Sequence, residues 1–305
     1  MKIVSTTPRT NQNLENFQKA LKDTSYIFNE IFPKNQHFNS MEMKKILSDC
    51  YIAIVGDDQI DSNALEHAKN LKHIIKWGSG VDSIDIEYAK QQNIVVTNTP
   101  GVLGKYVAEY ALGVILATKR NLFEYSNSFK NNKLWNKLPG DSLFNKTVGL
   151  IGYGNIGQEI AVLLKPFSCN ILYHDPYIQT KNNASSVQLE ELYFNSDILI
   201  LSAKLTPETH EIINKDVLLK LKSNCLLINI SRGELINEQD VFDFVDRKQL
   251  KYLFLDVFKK EPPELSNYYT ENNHVNFSQH NASNSKNAIE EVNNRIIKIV
   301  EELIK

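Results

Sequence analysis

Cysteine is scarce in this chain: three in 305 residues, Cys50, Cys169 and Cys225, far apart and in no ligand spacing. Their odd number and isolation exclude a disulfide framework and a thiolate metal centre, and predict reduced structural thiols in an intracellular setting. The seven histidines likewise show no ligand spacing with cysteine or acidic residues, so no metal site is expected. Long hydrophobic runs are missing too. Nowhere do about 18 apolar residues follow one another, and the opening MKIVSTTPRT lacks the apolar stretch of a signal peptide. The expectation is a cytoplasmic protein with no membrane partner. Nor is there an excess of charge of one sign: 34 basic and 36 acidic residues give a formal charge of -2, which supplies no field to gather nucleic acid or anionic lipid. Any anionic ligand must therefore be held by a local site.

What is present is the composition of a soluble globular protein, 42% hydrophobic and 23% charged, in a chain long enough for two cores. Short β-branched apolar runs recur at KIVST (2–6), YIAIVG (51–56), HIIKWG (73–78) and NIVVTN (93–98), with helix-like stretches such as SNALEHAKNL between them. Strands alternating with helices predict a parallel sheet covered on both faces. A long helical pattern follows in VLGKYVAEYALGVILATKR (102–120), and then the alternation restarts at TVGLIGYG, NILYHD, DILILS (197–202), NCLLINIS (224–231), YLFLDVF (252–258) and HVNFS (274–278). The last stretch, SKNAIEEVNNRIIKIVEELIK, carries one apolar stripe through Ile289, Val292, Ile296, Ile299, Val300 and Leu303 and is expected to pack back on the body of the protein. The fold class is thus α/β.

The stretch VGLIGYGNIGQEIAVLLKPFSCNILYHDPY (148–177) sets three glycines between an apolar strand and an amphipathic helix. By itself a GxGxxG triplet marks no more than a tight turn. In this context, however, Gly152 permits the turn, Gly154 lets the backbone approach a pyrophosphate, and Gly157 lets helix and strand pack closely. Asn155 and Ile156 then stand at a helix start, where free N–H groups hold phosphate. The next strand ends at Asp175, 18 residues after Gly157, where a carboxylate accepts bonds from the adenosine ribose hydroxyls. Asp175 repels a 2′-phosphate, and no arginine follows it in Pro176, Tyr177 and Ile178, so NAD rather than NADP is the expected cofactor.

Three further stretches, INISRGELINEQDVF (228–242), LFLDVFKKEPPEL (253–265) and HVNFSQHNAS (274–283), stand with GVDSIDIEYAKQQNIVVTNTPGVLGKYVAEYALG (80–113) and the glycine turn in one order. Over about residues 50–290 the chain resembles the D-isomer-specific 2-hydroxyacid dehydrogenase family, and its KWGSGVDSID wording resembles the phosphoglycerate dehydrogenase-like members. The resemblance implies two doubly wound parallel-sheet domains: a discontinuous substrate domain of residues 1–99 and 284–305, and a Rossmann-type NAD-binding domain of residues 100–283. It implies an active site in the cleft between them, closing on the ligand. It also implies a homodimer, with LFEYSNSFKNNKLW (122–135) as the place to look for its interface.

Site residues follow position by position. Arg232 matches the arginine that binds the substrate's carboxylate and carbonyl oxygen, a task suited to a planar, always-charged fork of donors. Glu261 matches the glutamate that pairs with the catalytic histidine, and His280 matches that histidine. Reduction of a 2-oxo acid needs a proton donor of neutral range beside the carbonyl, and imidazole next to a carboxylate meets that need. Ser79 and Gly80 match a loop whose N–H groups hold the substrate carboxylate. Asp256 matches a residue near the nicotinamide carboxamide, and Lys76 lies where some phosphoglycerate dehydrogenases carry a cation for the substrate phosphate. Read singly, Lys76 is a solvated charge, Glu261 a turn residue and His280 a loop side chain. Gln279, Lys204 and Tyr106 depart from the family's usual wording. The resemblance thus implies NAD-linked interconversion of a D-2-hydroxy acid and its 2-oxo acid, with 3-phosphoglycerate leading, and glyoxylate, hydroxypyruvate or lactate as alternatives. A non-catalytic NAD-sensing scaffold is the rival of another class.

Overall fold

A computed structural model describes residues 1–132, 135, 137, 139–179, 184–264 and 275–305. The chain divides into two units, Met1–Leu103 with Asn284–Lys305, and Gly104–Ser283.

In the first unit a five-stranded sheet contains β1 (Lys2–Ser5), β2 (Ile27–Glu30), β3 (Ile52–Val55), β4 (His73–Lys76) and β5 (Val95–Thr97), all parallel, in the order β2-β1-β3-β4-β5. Its central strand β3 is short, apolar and buried at every position because both faces of the sheet are covered there. Alternate side chains serve opposite cores. Val4, Ala53, Val55 and Ile74 meet Met43 and Leu47 of α2 (Ser40–Leu47) on one face. Ile3, Ile52, Ile54 and Ile75 meet Phe17 and Leu21 of α1 (Leu14–Leu21) and the last helix (Lys286–Leu303) on the other.

That last helix begins at Ser285, whose hydroxyl caps the Ala288 N–H, and it buries Ile289, Val292, Ile296 and Val300 in one stripe. Asn293 interrupts the stripe and is completely buried. Its amide is used in full view of the apolar core: Oδ1 accepts from Trp77 Nε1 at 2.9 Å, while Nδ2 donates to the Arg9 carbonyl at 2.9 Å and to Asn13 Oδ1 at 2.8 Å. The helix is thereby held in register against the end of β4 and the loop after β1.

The second unit is built on β6 (Thr147–Ile151), β7 (Asn170–His174), β8 (Ser185–Ser186), β9 (Ile198–Leu201), β10 (Leu226–Asn229), β11 (Tyr252–Leu255) and β12 (Val275–Phe277). These strands are parallel in the order β12-β11-β10-β9-β6-β7-β8. The order reverses between β6 and β9, which makes that boundary the topological switch point of a doubly wound sheet. The helices around it include α5 (Gly104–Lys119), α7 (Asn155–Leu164), α8 (Leu189–Asn195) and α10 (Glu238–Asp246). Helix α6 (Leu122–Asn132) falls in the stretch 122–135, whose later part lies partly outside the described residues. Among the described residues no helix is long and apolar enough to cross a membrane.

Strands β2 and β8 have no counterpart in the sequence expectations. Both are edges of their sheets, β2 half-exposed with alternate residues and β8 a pair of exposed serines. An edge strand buries too little surface to need an apolar run.

Candidate active site

Strand β6 delivers the chain into a turn at Gly152, where φ is +91°. A Cβ there would stand 2.6 Å from the Cα and N of Ala203, so the turn presses directly on the second residue past β9 and only glycine fits. Gly157 is equally confined, with a Cβ 2.6 Å from the Gly152 carbonyl oxygen, and this seats α7 on the turn. Gly154 is different: it is the N-cap of α7, its side has nothing within 4 Å, and no side chain caps the helix. Open space thus adjoins the first N–H groups of α7, those of Asn155 and Ile156 among them, which have no intrahelical acceptor. This is a cradle for a phosphate at a helix N-terminus.

Asp175 stands one residue past β7 and ties the cradle to that strand's end. Its Oδ2 accepts from Tyr153 N at 2.8 Å, and its Oδ1 accepts from Tyr177 N at 2.9 Å and Ile178 N at 3.1 Å. An ionised carboxylate offers about four lone-pair sites, so three backbone donors leave capacity for a hydroxyl. Asp175 therefore starts the Asp-Pro turn and also presents an acceptor beside the glycines. The residues present fit a dinucleotide.

The loops beyond β9, β10, β11 and β12 are stitched into one edge. Ser202 Oγ donates to the Gly152 carbonyl at 2.8 Å, and Ser231 Oγ donates to the Ala203 carbonyl. Asn229, the last residue of β10, accepts from Ser231 N at 3.1 Å and donates through Nδ2 to the Arg232 carbonyl at 2.8 Å. These bonds fix the backbone that carries Arg232, whose Nη1 donates to the Ser231 carbonyl at 2.8 Å. Gly233 follows, and a Cβ on it would lie 2.0 Å from the Phe258 carbonyl carbon and 2.2 Å from Lys259 N. The arginine loop and the Phe258–Glu261 loop thus meet backbone to backbone.

From that second loop Glu261 reaches in two directions. Its Oε1 accepts from Phe258 N at 3.0 Å, and its Oε2 lies 2.9 Å from His280 Nδ1. Both side chains are largely buried, with exposures of 16% and 23%. A carboxylate on Nδ1 fixes the tautomer and the ring plane of the histidine. His280 itself has φ +50°, an uncommon conformation for a residue with a Cβ. Its N–H donates to the Asp256 carbonyl at 2.7 Å, and the Asp256 carboxylate, 1% exposed, takes the N–H groups of Asn281 at 2.7 Å and Ala282 at 2.9 Å.

In the first unit, the ends of β1, β3 and β4 gather a second charged group. Lys76 is 3% exposed, and its ammonium meets Asp57 Oδ1 at 2.8 Å. It is a buried, paired cation rather than a solvated one. The Arg9 guanidinium stacks over Trp77, 4.5 Å from the ring centroid; burial lowers its pKa, and the charge of Asp57 opposes that shift. Ser79 is exposed, and its carbonyl accepts from Asn98 Nδ2 at 2.7 Å; Gly80 is half-buried.

The sequence alone did not single out Gly233, Asn229, Arg9 or Asp57. The glycine of SRG was a usable signal for the first, since a loop glycine beside a strand end often marks close backbone approach. Nothing local marks the other three. Among the described residues no group of three or more His, Cys, Asp or Glu side chains is arranged to hold a metal ion.

Comparison with known proteins follows the same lines. A family model described as D-isomer specific 2-hydroxyacid dehydrogenase, NAD binding domain, matches residues 112–282. A hydroxypyruvate reductase of Thermotoga maritima is 36% identical over 77% of this chain and 78% of its own length. A D-3-phosphoglycerate dehydrogenase of Methanocaldococcus jannaschii is 33% identical over 79% of this chain, and that match spans 47%, about half, of the relative. Among solved structures, an NAD-dependent formate dehydrogenase from Staphylococcus aureus in complex with NAD superposes with a TM-score of 0.87 at 26% identity, covering 99% of this chain and 95% of the other.

Proposed function

Because the chain belongs to the D-isomer specific 2-hydroxyacid dehydrogenase family, an NAD-dependent oxidoreductase class, we propose that it interconverts a three-carbon D-2-hydroxy acid of the glycerate type and its 2-oxo acid, phosphorylated at the third carbon in the leading reading. The observation that carries this reading is the His280–Glu261 pair, 2.9 Å apart, on the same sheet edge as Arg232 and the Gly152–Gly157 turn.

Bound NADH supplies the hydride. The fork of Arg232 holds the acid's carboxylate and polarises its carbonyl, stabilising charge that forms on oxygen. His280 delivers a proton from Nε2 to that oxygen, and in the reverse direction removes it. Glu261 keeps Nδ1 protonated and balances the imidazolium charge. Gly152, Gly154, Asn155, Ile156 and Gly157 hold the dinucleotide phosphates, and Asp175 selects the unphosphorylated ribose of NAD. Ser79 and Gly80 give the first unit its part in this proposal as the substrate domain. A homodimer also belongs to it, with Leu122, Phe123 and Phe129 of α6 exposed at 53%, 37% and 57% as its surface.

Two features bear on the substrate's third carbon. The charge of Asp57 acts on both Lys76, at 2.8 Å, and Arg9, and a pair of cations gathered at these strand ends favours a phosphorylated acid. Against this, Asp57 already holds Lys76 at 2.8 Å, which favours the unphosphorylated acid as a second reading. The test is NADH oxidation by the purified protein with 3-phosphohydroxypyruvate, hydroxypyruvate, glyoxylate and pyruvate. A preference for the first supports the phosphorylated reading, equal or reversed rates move the substrate to hydroxypyruvate, and no oxidation with any acid removes the proposal in favour of an NAD-sensing scaffold.

A further inference from the structure

In the order β2-β1-β3-β4-β5 the chain starts at β1, steps out to β2 and returns past it to β3, so the first unit's sheet has its own reversal, between β1 and β3. Doubly wound sheets bind ligands outside the carboxyl ends of their strands at such a reversal. Arg9 lies there, in the 3-10 helix Pro8–Asn13 that follows β1, with Asp57 past the end of β3 and Trp77 directly after β4. The Arg9 turn is pinned from within: Thr10 is completely buried, and its Oγ1 stands 2.9 Å from both the Thr7 carbonyl and Glu30 Oε1.

The two cations at these strand ends are used differently. Lys76 is satisfied within the protein: it is 3% exposed, and its ammonium donates to Asp57 Oδ1 at 2.8 Å and to the Trp77 carbonyl at 3.5 Å. Arg9 is half-buried, and its guanidinium lies over the Trp77 ring, 4.5 Å from the centroid. Among the described residues that guanidinium makes no hydrogen bond or ion pair. A flat stack covers one face of the group and leaves its in-plane N–H donors for an acceptor. Taking a charge part of the way out of water without an acceptor is unfavourable, and an anion relieves it. Asn293 fixes both members of the stack from the last helix, accepting from Trp77 Nε1 and donating to the Arg9 carbonyl, each at 2.9 Å. The fork is therefore set before any ligand arrives, which favours binding.

We infer that Arg9, stacked on Trp77 and locked by Asn293, is the residue by which the first unit recognises a second oxyanion on its acid, a phosphate or carboxylate group at the end remote from the 2-oxo carbon, while Lys76 serves as the counter-ion of Asp57. This deepens the proposed reading of the substrate and rests on it for the identity of the acid. The Asp57 carboxylate opposes an anion at these strand ends, and Lys76 at 2.8 Å offsets its charge, which makes that pair a support of the site rather than its receptor. An acid with a neutral tail leaves the Arg9 fork unused, so the site discriminates by charge at the tail.

The chain has two tryptophans, and Trp135 is 80% exposed, so Trp135→Phe leaves Trp77, the ring beneath Arg9, as the reporter. In that background Trp77 emission is titrated without cofactor with 3-phosphoglycerate, malate and glycerate, for the parent, Arg9→Gln, Arg9→Lys and the double variant Asp57→Asn/Lys76→Met. The parent is expected to bind 3-phosphoglycerate or malate at least about tenfold more tightly than glycerate, the difference that charge-assisted bonds from one fork supply. The tighter of the two names the oxyanion. Arg9→Gln brings the three acids within about twofold of one another, and Arg9→Lys, whose ammonium offers no fork, loses at least about threefold of the preference. The double variant removes the ion pair as a unit and keeps the preference. Equal binding of all three acids by the parent, or no binding of any, overturns the inference. So does a preference that survives Arg9→Gln, and so does one that vanishes in the double variant, which assigns the anion to Lys76. Should Arg9→Gln not fold, Arg9→Lys decides, and a preference equal to the parent's overturns the inference. The titrations need no turnover, so NADH oxidation with hydroxypyruvate tests the dehydrogenase reading separately, and failure there leaves the titrations to decide this one.

Discussion

Arg232 shows how much of a side chain's use is settled by its neighbours. Its backbone is held from three sides, by Asn229 Nδ2, by the Ser231 hydroxyl on Ala203, and by Gly233 against Phe258. The guanidinium is expected to give planar, two-pronged recognition of a carboxylate, which an ammonium cannot copy. Arg232→Ala should lower kcat/KM at least about 10²-fold with NADH affinity intact, and Arg232→Lys should recover little of it; steady-state kinetics and fluorescence titration check both. Gly233→Ala makes a separate demand, because its Cβ would sit 2.0 Å from a backbone carbon. Since backbone yields less readily than a flexible side chain, the variant should lose about 1–3 kcal/mol or more in urea unfolding, with activity falling as the two loops part. The roles proposed for Arg232, Glu261 and His280 come from resemblance, not from spacing, for each is one polar residue in an irregular loop. The backbone contact at Gly233 depends on the register of β10 on β11, which no local stretch encodes.

Among the elements, the last helix and β4 carry the clearest energetic consequences. The stripe Ile289, Val292, Ile296 and Val300 was readable as a buried face, while Asn293 within it was not, since its partners are 284, 280 and 216 residues away. Asn293→Ala strands the Trp77 indole N–H in the core, and should cost about 1–3 kcal/mol in urea unfolding. At the start of β4, His73 packs edge-on to Tyr51, its Nδ1 is buried with no hydrogen-bond partner among the described residues, and burial lowers its pKa from 6.5. With the folded pKa below the unfolded one, the unfolded chain binds more protons as pH falls through about 6.5, so stability is full above that pH and declines beneath it until the folded pKa is passed. His73→Phe should flatten this part of the stability-against-pH curve, and a slope equal to the parent's would assign the acid lability elsewhere. Strands β3, β9 and β10, buried at every position, were readable from composition, whereas the edges β2 and β8 were not.

At the scale of the whole molecule, a single topological fact organises the candidate site of the second unit. Ligands in doubly wound sheets bind beyond the carboxyl ends of strands near the reversal of strand order. Here the reversal lies between β6 and β9, with the glycine cradle on one side and the loops of Arg232, Glu261 and His280 following in strand order on the other. The glycine motif was legible because it is local: a turn, a helix start and an acid at the end of the next strand. The first unit has its own doubly wound sheet, and on it the buried Lys76, paired with the half-buried Asp57, overturns the simplest sequence expectation for a lone lysine. The thiols support no reactive role in this account, as burial pushes those of Cys50 and Cys225 up to about 12. The central claim is that His280 transfers the proton that accompanies hydride transfer to a 2-oxo acid. Its most direct test is the rate of NADH oxidation with hydroxypyruvate by the parent and by His280→Gln, at NADH concentrations that saturate both. The account predicts a rate about 10² to 10⁴ lower in the variant with NADH affinity unchanged; equal rates would contradict it.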